Sequence, residues 1–270
     1  LADQNFTTST DSYNVGVGFA AGGDITTGTN NTFVGGLAGD GTDDGDENVA
    51  VGRSALSANC GDANTAVGKD AGEIITGSNN TVLGKSAGKQ ITSGGNNTAV
   101  GKDAGLSGSP GGAITTGSNQ IALGDENVSS FFAQVALTVS SDERDKTDFV
   151  DLDLGLDFVK ALEPVTYYWD KRSKYGDKYA DDYDLNAQTP DGTHKEDWMD
   201  VGFRAQSVKD LEEASGHKMA DKKNLTVSLS GDEKQYGLRY EKFVPILVKA
   251  IQDQDAIIQS LTARITALES

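Results

Sequence analysis

The sequence is poor in cysteine, histidine, proline and long apolar runs. A single cysteine, Cys60, excludes an intrachain disulfide, and the expected role of such a residue is a small buried hydrophobe. The two histidines, His194 and His217, have no carboxylates or cysteines at ligand spacing, so the sequence predicts no metal and no cofactor. No apolar run approaches the ~20 residues of a membrane span, and no membrane insertion is expected.

Basic charge is also scarce. With 23 Lys and Arg against 41 Asp and Glu, the net charge is −18, so binding to nucleic acid or to an anionic membrane by charge is not expected. Aromatic residues make up only 7% and are unevenly placed, because both tryptophans and nearly all tyrosines follow residue 160, whereas glycines concentrate in the first half. This asymmetry predicts two domains of different character.

A short repeat fills the first half of the chain. The phrase Asn-Thr-x-Val/Leu-Gly-Lys-x-Ala-Gly occurs at 64–72, 80–88 and 97–105. Its Val/Leu-Gly step recurs with spacings of 17, 17, 16, 16, 17 and 23 residues, at Val17-Gly18, Val34-Gly35, Val51-Gly52, Val67-Gly68, Leu83-Gly84, Val100-Gly101 and Leu123-Gly124. Each unit has a short strand, a glycine and an Asn-rich corner, but too few apolar side chains to close a core alone. Stacking of the units into a β-solenoid is therefore predicted.

The segments around the repeat are less regular. The longest step comes from an insertion at Leu106–Gly112, which is predicted to form a loop. Residues 129–140 are predicted to form one or two junction strands. Residues 170–200 are rich in Lys, Asp and Tyr and fit no period, so a long exposed loop or hairpin is predicted there.

The end of the chain has the spacing of a coiled coil. Apolar residues alternate steps of 3 and 4 from Val244 to Leu268, interrupted only by Gln254. Isoleucine at a and leucine at d favour two strands in isolated zippers, although three are allowed if upstream domains hold three chains together. The alternative is an amphipathic helix that packs back on its own domain.

The stretch Ser141-Asp142-x-Arg144-x-Lys146 resembles the opening of the intramolecular chaperone domain of phage tail spikes and fibres, the self-cleaving peptidase family S74. Three later blocks resemble the same family in the same order, at Leu156–Trp169, Gly202–Val208 and Tyr236–Gln252. The repeats are similar to the left-handed β-roll heads of trimeric autotransporter adhesins and to phage tail-fibre shafts.

These resemblances imply a mainly β N-terminal half, a trimeric β-roll, followed by an α/β (α+β) chaperone module ending in a trimeric coiled coil. The expected divisions are a connector, the rod, the junction strands, the chaperone domain and the coiled coil, at 1–13, 14–128, 129–140, 141–243 and 244–270. The implied partners are two further copies and a host cell-surface receptor or glycan bound through the rod. The implied location is a virion tail, with the chaperone module released in the host cytoplasm after assembly.

The resemblance also implies a catalytic pair. In the family the first serine of the motif is the nucleophile and the lysine five residues later is its base, which corresponds to Ser141 and Lys146 and to a cut between Ser140 and Ser141. A serine hydroxyl needs a neighbour that takes its proton, and a lysine serves at neutral pH when it is desolvated or near another cation. Arg144 is the candidate cation, or an oxyanion stabiliser, and Asp142 is a further candidate for support.

Three acidic residues oppose this chemistry. Asp142 and Glu143 lie close in sequence, and Asp145 stands beside Lys146 where the family has an apolar residue. Negative charge near the lysine makes it hold its proton more tightly.

Two other functions remain open. One is an uncleaved structural or receptor-binding fibre whose degenerate chaperone serves only for trimerisation. The other is a rod that binds or cleaves glycans, which requires an acid pair in a groove. The rod's acids lie on short loops, and its only aromatic residues are Phe19 and Phe33, with Tyr13 just before its start.

Overall fold

A computed structural model describes residues 11–180 and 182–270. The chain forms two compact units. The first comprises the chain up to Ser129 together with Asp170–Lys195 and Leu229–Gln235, and the second comprises Ser130–Trp169, Glu196–Ser228 and Tyr236–Ser270. Most of the connector predicted at 1–13 lies outside the described residues.

The first unit is built on a β-solenoid of seven three-residue strands that form one parallel sheet in sequence order. The strands are β1 (Val15–Val17), β2 (Thr32–Val34), β3 (Val49–Val51), β4 (Thr65–Val67), β5 (Thr81–Leu83), β6 (Thr98–Val100) and β7 (Ile121–Leu123). Equivalent repeat positions lie opposite one another, as with Ala66, Val82 and Ala99. Each repeat is therefore one coil, and the predicted solenoid is confirmed.

A ladder of asparagine side chains ties each coil to the next. The backbone N–H of Asn64 donates to Oδ1 of Asn48 at 2.9 Å, and that of Asn80 donates to Oδ1 of Asn64 at 2.9 Å. The same bond recurs from Asn14 through to Gln120. These backbone groups are buried at a corner where no strand pairing reaches them, so the side-chain carbonyl supplies the acceptor that they need.

The glycine after each strand is required by the closeness of the coils. Gly68 has φ +136°, and a Cβ there would lie 2.5 Å from the carbonyl oxygen of Gly84 in the next coil. Parallel strands lie about 4.8 Å apart, which leaves no room for a side chain directed along the stacking axis. The repeat glycine is therefore fixed by both its dihedral angle and the neighbouring backbone.

The solenoid core is thin and made of stacked small residues. Ala66, Ala99 and Ile75 are fully buried, and Cys60 is 1% exposed, which confirms its expected role as a small buried hydrophobe. The insertion at Leu106–Gly112 contains neither helix nor strand, as predicted.

The second unit is a small α+β assembly, which confirms the predicted class. Its elements are α1 (Leu156–Ala161), β8 (Val165–Tyr167), β9 (Asp200–Gly202), α2 (Ala205–Ala214), β10 (Val227–Leu229), β11 (Tyr236–Leu238) and α3 (Phe243–Glu269). The last residue of β10, Leu229, is assigned to the first unit. β8 pairs antiparallel with β9, and β10 is bonded to β11. The buried side chains of its core are Leu154, Phe158, Val208, Val227, Phe243 and Ile246.

Helix α3 is 27 residues long and packs on its own unit only near its start. Its buried residues are Phe243, Ile246 and Ala250, and α1 is its neighbour there. Beyond this point the predicted apolar seam is exposed, with Ile258 53% and Ile265 55% accessible. The described helices include none that is long and apolar enough to cross a membrane.

Two irregular segments differ from their sequence-based predictions. Residues 129–140, predicted as junction strands, carry no strand and are exposed, because this single chain offers them no strand to pair with. Among its described residues, the exposed loop predicted at 170–200 has 3₁₀ turns at Arg172–Lys174 and Leu185–Ala187, and β9 begins at its last residue. Leu185 is nevertheless 1% exposed. Part of that segment is therefore packed rather than solvated.

Candidate functional site

The motif that begins at Ser141 folds into one tight turn. Asp142 precedes a 3₁₀ helix at Glu143–Asp145, and its Oδ1 accepts a hydrogen bond from the backbone N–H of Arg144 at 2.9 Å. The backbone N–H of Lys146 closes the turn on the carbonyl oxygen of Glu143 at 3.1 Å. Aspartate favours this position because its carboxylate satisfies a backbone N–H at the start of a turn. The turn carries residue 146 back beside residue 141.

Ser141 and Lys146 are in direct contact. Nζ of Lys146 lies 2.6 Å from Oγ of Ser141 and 3.0 Å from the carbonyl oxygen of the same residue. A nucleophile and a base within hydrogen-bonding distance are the minimum arrangement for activating a hydroxyl. Oγ belongs to the residue immediately after the Ser140–Ser141 peptide bond, so the pair is positioned to act on that bond.

Arg144 is engaged by Asp142. Its Nε lies 3.0 Å from Oδ1 and its NH2 2.6 Å from Oδ2 of that carboxylate, an exposed bidentate pair. These hydrogen bonds from the Arg144 side chain and backbone hold the pKa of Asp142 below its usual value, and the same pairing raises the pKa of Arg144. In this arrangement the Asp142 carboxylate caps the turn, and the Arg144 guanidinium forms an ion pair with that carboxylate. Support of catalysis by either residue stays a prediction.

The surroundings of the pair are open. Ser140, Ser141 and Lys146 are all exposed, and so is the chain from 143 to 150. A lysine acts as a base near neutral pH only when its ammonium is poorly solvated or lies near another cation. The described single chain supplies the contact between the two catalytic candidates but leaves the lysine in solvent.

Sequence reasoning missed a polar cluster in the first unit. Nζ of Lys178 lies 2.8 Å from Oε1 of Glu126 and 3.0 Å from Oδ2 of Asp103, while the Tyr179 hydroxyl donates to the same Asp103 oxygen at 2.6 Å. Asp103 occupies a repeat position that is Ser86 in the coil before, so nothing in the repeat distinguishes it. The only signal was the unusual density of Lys and Tyr in the segment after residue 170.

The histidines have local partners. Nε2 of His217 lies 2.8 Å from Oδ1 of Asp153, and the His194 ring meets the Tyr175 ring edge-on at 4.8 Å between centroids. Over residues 11–180 and 182–270, no group of three or more His, Cys, Asp or Glu side chains is arranged to hold a metal ion.

Residues 141–217 match the model of a protein family described as Peptidase S74, the chaperone of endosialidase. The region is similar to an intramolecular chaperone. The match begins at Ser141 and runs through α1, β8, β9 and α2, so it contains both members of the Ser141–Lys146 pair.

The chaperone match supports the resemblance drawn from the motif at 141–146 and from the blocks at 156–169 and 202–208. The block at 236–252 lies beyond the matched residues. No curated protein matches this chain, and no solved structure does. The family match supports a chaperone role for the C-terminal region. The setting in a tail fibre and the cut itself belong to the proposal that follows.

Proposed function

We propose that residues 141–270 are the intramolecular chaperone of a trimeric viral tail fibre or spike, and that the chain cuts itself between Ser140 and Ser141 after folding. The observation that carries the proposal is the 2.6 Å contact between Lys146 Nζ and Ser141 Oγ at the first residue of the matched region. The cut converts one chain into a rod and a separate C-terminal product.

The chemistry balances with these two side chains and one water. Neutral Lys146 takes the proton of Ser141 Oγ as this oxygen attacks the carbonyl carbon of Ser140. The C–N bond to Ser141 breaks, its nitrogen takes the proton back from Lys146, and Ser140 is left as an ester on Oγ. Water then hydrolyses the ester, giving a carboxylate on Ser140 and restoring the hydroxyl of Ser141 behind a new amino terminus. Each chain reacts once.

Exposed apolar surfaces on both units support a homotrimer. On the solenoid, the last residue of each strand forms an aliphatic column that faces outward, at Val17, Val34, Val51, Val67, Leu83, Val100 and Leu123. In the second unit, Phe131 is 79% exposed and Leu137 90%, and the seam of α3 is uncovered from Ile258 to Leu268. Contiguous apolar surface of this kind marks an interaction site, and in-register columns on identical chains suit identical partners.

The proposed order of events follows from folding kinetics. A trimerised C-terminal module brings three chains together and so lowers the entropic cost of aligning three solenoids. Burial of Lys146 among the assembled chains would then desolvate it and start the cut. Loss of the module makes unfolding of the rod irreversible in practice, which confers kinetic stability. In this setting the rod belongs to a virion tail and meets a host receptor or glycan.

The test is the intact mass of the purified protein under denaturing conditions. Wild type is expected to give two fragments that meet between Ser140 and Ser141, and Ser141→Ala one full-length chain. Ser140→Ala is the matched control and should still be cut, because its side chain takes no part in the reaction. A single full-length mass for wild type would instead favour a chaperone that stays attached and serves only for trimerisation.

A further inference from the structure

The end of the solenoid carries a docking surface for a segment from the other side of the cut. This segment, Asp170–Lys195, is here called the arm, and it belongs to the first unit. Lys171 Nζ donates to the carbonyl oxygen of Glu126 at 3.2 Å, and the Lys174 ammonium bonds to the side-chain oxygen of Asn127. The arm therefore lies on the residues that follow β7.

The centre of the docking surface is a buried ion cluster. The side chain of Lys178 is 11% exposed, and its Nζ lies 3.0 Å from Asp103, 3.9 Å from Asp125 and 2.8 Å from Glu126. The side chains of these three acids are 0%, 10% and 7% exposed. Charges that are this buried interact strongly. Removing Lys178 would take the ammonium from Glu126 and leave Asp103 and Asp125 with Lys102, whose side chain is 54% exposed.

A second segment reinforces the arm. In the loop between β10 and β11, Oδ2 of Asp232 accepts from the backbone N–H of Ala113 at 3.0 Å, and Gln235 Nε2 donates to the carbonyl oxygen of Ser109 at 3.2 Å. NH2 of Arg172 bonds to the carbonyl oxygen of Lys234 at 2.7 Å, which joins this loop to the arm.

Apart from the Arg172–Lys234 bond, which lies within the C-terminal product, these contacts join residues before Ser140 to residues after Ser141. They are non-covalent and do not depend on the peptide bond between Ser140 and Ser141. We infer that Asp103, Asp125 and Glu126 form a docking site for the arm that holds the C-terminal product on the rod after the cut. Cutting and release are then separate steps. The inference rests on the proposed self-cleavage. It adds a non-covalent attachment of the C-terminal product to the rod, centred on Lys178.

The protonation states of Asp103 and Lys178 determine the pH range in which the arm stays docked. Burial alone would raise the pKa of Asp103, but hydrogen bonds from Tyr179, Lys102 and Lys178 outweigh it and hold that pKa below its usual value. Burial alone would lower the pKa of Lys178, but hydrogen bonds to Glu126 and Asp103 outweigh it and raise that pKa above its usual value. The charged and titratable groups that also face this cluster are Lys85, Lys102, Asp125, Glu126, Arg172, Tyr179 and Tyr183.

The sign follows from these directions. A carboxylate with a lowered pKa stabilises docking above its undocked value, and that contribution is lost as the pH falls through the docked value. A lysine with a raised pKa stabilises docking below its undocked pKa, and its contribution is lost only as the pH rises through the raised value. Neutral pH therefore maintains the docked state, whereas acid strong enough to protonate Asp103 removes it.

The experiment compares native with denaturing analysis of the same sample. After the cut, wild type should give two masses under denaturing conditions but a single co-eluting species in size-exclusion chromatography at pH 7. Lys178→Ala should give the same two masses and elute as two species, while Lys178→Arg keeps the charge and should behave as wild type. The matched control is Lys209→Ala, which removes an ion pair with Glu213 on α2. Separate elution of the wild-type products, or co-elution of the Lys178→Ala products, would overturn the docking site.

A second measurement keeps the two proposals apart and covers misfolded variants. If denaturing analysis shows one full-length mass, self-cleavage has failed, and docking is then read from hydrogen exchange of the uncut Ser141→Ala chain. Amides of the arm should exchange at least about tenfold faster with Lys178→Ala added, while amides of β3 to β5 should not change. Equal exchange of the arm in both chains would contradict the docking site, and faster exchange throughout the solenoid would attribute the effect to misfolding.

Discussion

The solenoid and the second unit reach stability by different routes. In the solenoid, each coil bonds to the next at equivalent positions, so one pattern of strand and glycine recurs seven times, with an asparagine at the corner of six coils and Gln120 in the last. In the second unit, two-stranded sheets and three helices gather from segments far apart in sequence, and most of α3 packs on nothing in the described chain. The solenoid could be extended by adding further coils of the same kind. The second unit instead leaves apolar surface on α3 exposed for a partner chain.

The largest expected effect comes from breaking the exposed seam of α3. Ile258→Asp combined with Ile265→Asp places two charges where the proposed coiled coil is apolar, and the proposed trimer should give way to single chains. Sedimentation equilibrium of the Ser141→Ala chain measures this directly. Ala256→Asp, on the opposite side of the heptad, is the control and should leave the association unchanged. A trimer that persists with both seam substitutions would show that the coiled coil is not required for association.

A smaller but still large effect is expected within the solenoid. Gly68→Ala forces a Cβ to 2.5 Å from the Gly84 carbonyl at φ +136°, and destabilisation of more than about 3 kcal/mol is predicted from denaturant unfolding. Gly36→Ala is the matched control, since a Cβ there meets only the Phe19 carbonyl oxygen at 4.0 Å. Equal unfolding free energies for the two variants would mean that the coils can separate to admit a side chain.

The smallest effect concerns the asparagine ladder. Asn64→Ala removes the acceptor of the Asn80 backbone N–H and leaves a buried donor without a partner, so a loss of about 2 kcal/mol is predicted. The same denaturant experiment measures it, with exposed Ser93→Ala as control. An unchanged free energy of unfolding would show that water replaces the amide at this corner and that the asparagine ladder does not stabilise the fold.

The sequence predicted the solenoid because its period is fixed by geometry. A Val-Gly step every 16 or 17 residues identifies one coil, since only glycine fits the contact seen at Gly68. The asparagines were predicted as corner residues, but their hydrogen bonds to the next coil follow from the stacked register, which a single repeat does not reveal. Strands predicted at 129–140 did not form, since a strand needs a neighbour that this single chain lacks.

The candidate site was predictable in part for a similar reason. A spacing of five residues and the resemblance indicated Ser141 and Lys146, and one 3₁₀ turn brings them together. The pairing of Arg144 with Asp142 depends on side-chain geometry within the turn. The sequence alone therefore could not predict that Arg144 would contact Asp142 and not Lys146. The docking of the arm was missed because Tyr179 and Asp103 are 76 residues apart, and the repeat position of Asp103 does not distinguish it from its equivalents in other coils.

In the proposed function, the C-terminal region serves to assemble the rod. The most direct measurement prepares residues 1–140 in two ways, by cutting of the full chain and by expression alone, and compares their solubility, β content and mass in solution. The account predicts a soluble, β-rich trimer from the full chain, and aggregated or unassembled protein from direct expression. Identical trimers from both routes would contradict it, because the rod would then need no chaperone.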